Sequence, residues 1–112
     1  MVSKGTSEQV LKTEDVPLRD YELVVVISPE VVDEELEAKV DNIGRFITER
    51  GGIISSVEPW GKRRLAYPIA HFTEGSYVLI KFKSNNILGK QLEASLQISE
   101  EILRYLLIRL SD

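Results

Sequence analysis

The chain has 112 residues, 43% of them hydrophobic and 29% charged, with a net charge of −4; this excludes wholesale disorder, fibrous repeats and two independent cores. Cysteine is absent, so disulfides, thiolate metal centres and cysteine nucleophiles are ruled out by count. The longest apolar runs, Leu23 to Ile27 and Tyr105 to Ile108, fall far short of the roughly 20 residues a membrane helix needs. The first nineteen residues lack the pattern of a secretory signal, so a cytoplasmic location is expected.

Residues 1–19 hold Gly5, Pro17 and scattered Ser and Thr without a sustained period. They are expected to form a flexible N-terminal extension, and residues 20–112 a single domain. Tyr21 to Ile27 is β-branched and apolar, which predicts a central strand with Tyr21, Leu23, Val25 and Ile27 on one side and Glu22, Val24 and Val26 on the other. Ser28-Pro29 ends it. Val32, Leu36, Val40, Ile43 and Ile47 then recur at helical spacing between Glu30 and Arg50. Ser28 or Asp33 is the expected cap, acids crowd the helix start, and Gly51-Gly52 supplies a left-handed stop.

Ile53 to Tyr67 reads as a strand interrupted by Pro59 and Gly61, the pattern of an edge strand with a bulge or kink. A turn over His71 to Gly75 leads into Ser76–Lys83, the second limb of a long hairpin. Asn85 or Asn86 caps a second helix bearing Leu88, Leu92 and Leu96, and Ile102 to Leu110 closes the chain as a strand. The order strand, helix, strand, strand, helix, strand predicts an α+β ferredoxin-like sandwich: a four-stranded antiparallel sheet with two helices on one face and the other face bare.

The charge is unevenly distributed. Residues 20–50 carry nine acids and three bases, whereas residues 51–84 carry Lys62, Arg63, Arg64, Lys81 and Lys83 against Glu58 and Glu74. An acidic segment therefore precedes a basic hairpin. No catalytic constellation accompanies it. His71 is the only histidine, the helix acids have no inward partners, and no nucleophile elbow, Walker loop or dinucleotide fingerprint occurs. An acyl phosphate hydrolase of this fold would need an anion-cradling turn with arginine where Ser28-Pro29-Glu30 stands. An RNA-recognition motif would need an aromatic where Ser76 stands. Neither a metal nor a cofactor is called for.

The bare sheet face carries Val24, Val26, Tyr77 and Leu79, with Lys81 and Lys83 further along the same strand. Such an apolar face awaits a partner, and three consecutive bases beside Trp60 suit phosphate contacts. The decapeptide Gly61-Lys62-Arg63-Arg64-Leu65-Ala66-Tyr67-Pro68-Ile69-Ala70 resembles the signature of a known family, that of the sixth protein of the bacterial small ribosomal subunit. Tyr21 to Ile27, Ser28-Pro29-Glu30 and Gly51-Gly52 fit the same family over residues 20–110.

The resemblance implies a structural, non-enzymatic protein of the ribosome. It would bind the central domain of small-subunit ribosomal RNA together with the eighteenth protein of that subunit. It also implies RNA or partner contacts at Lys62, Arg63 and Arg64; the reading of the sheet adds Lys81 and Lys83 as RNA-contact candidates. Leu65 and Tyr67 would brace the hairpin or face the partner, Trp60 would face the partner or lid the sheet edge, and the open face offers Tyr77, Leu79, Val24 and Val26 as partner contacts. The competing reading from the residues alone is a small-molecule regulatory module that dimerises through the open sheet.

Overall fold

In a computed structural model, residues 17–110 are described; the expected N-terminal extension lies almost entirely outside them. The elements are β1 (Arg19–Ile27), α1 (Asp33–Glu49), β2 (Ile53–Ile69), β3 (Phe72–Ser84), α2 (Asn86–Gln97) and β4 (Ile102–Arg109). They form one sheet in the order β2-β3-β1-β4, with every neighbouring pair antiparallel. This is the expected sandwich, and the two most buried strands, β1 and β3, are central.

Strand alternation assigns the two faces. Tyr21, Leu23, Val25 and Ile27 of β1 and Val78, Ile80 and Phe82 of β3 cluster with Ile43 and Ile47 of α1 and with Leu88, Leu92 and Leu96 of α2. Both helices thus cover the same side, and the Tyr21 and Phe82 rings stack there with centroids 5.5 Å apart. The opposite side of the sheet carries no helix among the described residues.

The helix termini differ in how far the chain announces them. At α2, Asn85 Oδ1 accepts from the Leu88 N–H at 2.7 Å, the expected side-chain cap. At α1 neither expected cap operates: Val32 is the N-cap and makes no side-chain bond. Ser28 Oγ instead accepts from the Glu30 N–H, and the Ser28 carbonyl from the Val31 N–H. This turn points Val31 into the core and leaves Val32 57% exposed, so the apolar stripe is entered one residue earlier than its spacing suggests. Asp33, Glu34 and Glu35 remain in the first turn, where the helix dipole favours them.

The exit from α1 follows the glycine pair. Gly51 has φ +91°, the Gly51 N–H donates to the Thr48 carbonyl and the Gly52 N–H to the Ile47 carbonyl, a left-handed stop. A Cβ on Gly52 would lie 2.5 Å from Ile47 Cγ2 and 2.9 Å from the Ile47 carbonyl oxygen. Gly52→Ala is therefore expected to destabilise the fold by about 1–3 kcal/mol, a shift in urea midpoint at unchanged slope.

The hairpin turn is also tighter than expected. Phe72 to Gly75 already belong to β3, and the reversal is made by Ala70 and His71, with φ 50° and 75°. Two successive positive φ values give the twist that antiparallel strands require. The usual Asn-Gly signature is missing, which is why the turn was displaced in the sequence-based expectation. Because β1 pairs with β3 only as far as Ile27↔Ser76, the remaining pairs Arg63↔Gly75 and Arg64↔Glu74 extend past the end of β1 as a two-stranded arm.

Candidate nucleic-acid and partner interface

The arm begins at a bulge. Pro59 pairs with Val78 and Gly61 with Tyr77, so Trp60 is the extra residue, and Gly61 accommodates the kink with φ +83°. This places Trp60 over Tyr77, ring centroids 6.4 Å apart and nearly parallel. Next along β2, the Arg63 guanidinium lies 5.6 Å above the Trp60 ring, worth about 0.5–1 kcal/mol at an exposed site. Arg63 thereby points to the open side of the sheet, and by alternation Lys62 and Arg64 point to the helix side. All three are exposed, and among the described residues none forms an ion pair with a carboxylate.

Beyond Arg64 the strands lose register: four residues, Leu65 to Pro68, stand against one of β3 before Ile69 pairs with Phe72. The excess folds back towards β4, where Tyr67 Oη accepts from Arg104 Nη1 at 2.8 Å. Arg104 is the cross-strand neighbour of Val26, which Tyr77 flanks on the other side. Tyr67→Phe is expected to lower global stability by less than about 1 kcal/mol. It should raise amide exchange at Ala66 to Ala70, read by hydrogen-exchange spectroscopy.

The expected site residues fall into three groups. Lys62, Arg63, Arg64, Trp60, Tyr67 and Tyr77 are gathered at the arm and its root. Leu65, Val26 and Leu79 are only 8%, 4% and 8% exposed, so they brace the sheet and present little surface, whereas Val24 is half-buried. Lys81 and Lys83 stand apart. From Gly75 to Lys83 a strand spans roughly 25 Å, and Lys81 Nζ lies 3.9 Å from both Glu22 and Glu58 carboxylates. Sequence reasoning missed Leu106 and Ile108, 51% and 40% exposed and paired with Val24 and Glu22 on the same face. It also missed Arg104. The near-continuous apolar run of the last strand hides its alternation; only its parity against Tyr105 and Leu107, which pack on the core, distinguishes them.

Across the open face, then, Trp60, Tyr77, Val24, Leu106 and Ile108 form an apolar surface beside a cationic arm. Among the described residues no group of three His, Asp or Glu is placed to hold a metal ion, and no helix is long and apolar enough to cross a membrane. The fold defines a ferredoxin-like α+β domain with one sheet face left open among the described residues.

The family profile described as ribosomal protein S6 matches residues 20–109. The small ribosomal subunit protein bS6 of Moorella thermoacetica is 40% identical over 95 residues, covering 85% of this chain and 97% of the relative. That of Caldanaerobacter subterraneus is 42% identical over 95 residues, covering 85% and 100%. The crystal structure of 30S ribosomal protein S6 from Thermotoga maritima superposes with a TM-score of 0.80 at 36% identity, over 84% of this chain and 89% of that one. The chain belongs to the ribosomal protein S6 family. It is a structural, non-enzymatic protein of the small ribosomal subunit, in the cytoplasm.

Proposed function

We propose that the chain binds small-subunit ribosomal RNA through the β2–β3 arm and a second ribosomal protein through its open sheet face. The observation that carries this reading is the arm itself: three exposed cations without carboxylate partners among the described residues, held on a hairpin that extends past β1. Lys62 and Arg64 face one side and Arg63 the other, so RNA can be gripped from both sides of the arm. Arg63, stacked over Trp60, marks the line where RNA and protein partner meet. Lys83 is a separate cation and adds a single further phosphate contact. The sequence resemblance supports the central domain of the RNA as the target and the eighteenth protein of the subunit as the partner.

Filter binding to a small-subunit RNA fragment, with and without the eighteenth protein, tests this. The partner is expected to tighten RNA binding. Leu106→Asp, at an exposed position of the open face, should abolish that enhancement while leaving partner-free RNA binding intact, because a charge is introduced where apolar area would be buried. An enhancement that survives Leu106→Asp places the partner elsewhere.

A further inference from the structure

On the helix side, opposite the surface just described, α1 and the outer strand β2 leave a groove of about 420 Å³. Leu36, Val40, Val57 and Pro59 line its floor, and Asp33, Glu37 and Asp41 stand along one wall. Val57 is 41% exposed there. The three acids are spaced four residues apart, so they form one row along α1 with one carboxylate per turn. Like charges at that spacing weaken a helix, and the row meets a base only at its end, where Arg45 stands one turn beyond Asp41. Lys39, the one base among residues 30–41, pairs with Glu101 instead, and among the described residues the row has no ion pair.

We infer that this groove docks a short segment of a neighbouring protein in which apolar side chains alternate with lysine or arginine. The apolar floor takes the one and the acidic row the other; the net negative charge of the row selects a cationic occupant and repels RNA. Proteins that neutralise phosphates carry lysine and arginine for that contact, so a ribonucleoprotein is a source of cationic segments. The inference rests on the proposed ribosomal role only for that source. The chain thus has two poles, an RNA-facing arm and a protein-facing acidic groove.

The test is a titration of the isotope-labelled full chain with a short synthetic peptide alternating leucine and lysine. Two control peptides are used, one with glutamate for lysine and one with serine for leucine. Amide shifts are expected at Leu36, Val40 and Val57 with the first peptide only. The combined variant Asp33→Asn, Glu37→Gln, Asp41→Asn should bind it at least about tenfold more weakly. These positions are exposed and their repulsion is relieved, so the variant is expected to fold. Equal binding by the lysine–serine peptide, shifts confined to the open sheet face, or an unaltered affinity in the variant would each overturn the inference. So would groove shifts that follow protein concentration alone, since the occupant is then a second copy. None of these outcomes alters the salt dependence of RNA binding by the arm, so failure here is distinct from failure of the proposed function.

Discussion

Replacing Lys62, Arg63 and Arg64 together by alanine is expected to make the log–log salt dependence of RNA binding shallower by roughly 2 to 3. Each cation that meets a phosphate releases condensed counterions, with a slope of about −0.7 to −0.9 per contact. Raising salt from about 50 to 200 mM should therefore weaken the wild-type chain some tens-fold more than the variant. Stability should barely move, because among the described residues none of the three is ion-paired and exposed cations contribute little to folding. An identical slope in the two proteins would take the arm out of the RNA interface. A large loss of stability would make the arm a folding element.

Phe82→Ala and Trp60→Ala are expected to separate the two faces of the sheet. Phe82 is 1% exposed and stacked on Tyr21 between sheet and helices. Its truncation should cost about 3–5 kcal/mol, which lowers the melting temperature by more than about 10 °C in a domain of this size. Trp60 is a still larger aromatic, yet it is 41% exposed in a bulge on the other face. Truncating it should cost about 1–2.5 kcal/mol, the summed worth of one aromatic contact and one cation–π contact and less than the loss at Phe82, while removing partner binding. Paired urea titrations measure the contrast. Comparable destabilisation by the two substitutions would mean that the open face is a second core.

Periodicity carried most of the architecture. The parity of Tyr21 to Ile27 placed every β1 side chain on its observed face, and the bulge at Pro59 and Gly61 was announced by the two residues a regular strand tolerates least. What escaped was local backbone chemistry without a side-chain signature. Ala70 and His71 adopt left-handed geometry that is rare for such residues, and the Ser28–Val31 turn rotates Val31 inward by hydrogen bonds of the main chain.

The candidate site was legible where residue type alone marks it, at Lys62 to Arg64. It was less legible where burial decides. Val26 and Leu79 have the correct parity for the open face but are shielded by their neighbours, and the exposure of Leu106 and Ile108 depends on a register no single strand encodes. The fold-back of Tyr67 onto Arg104, across 37 positions of sequence, follows from a loss of register that composition does not reveal.

The central claim is that the arm, and not the helical side of the sandwich, lies against RNA in the assembled subunit. Because the chain has no cysteine, a single introduced one is a unique attachment point for an iron chelate that generates hydroxyl radicals. With the chelate at exposed Ala66 on the arm, strand scission of small-subunit ribosomal RNA is expected, and with it at exposed Gln91 on α2, scission should be absent or much weaker. Strong cleavage from Gln91 together with none from Ala66 would contradict the account.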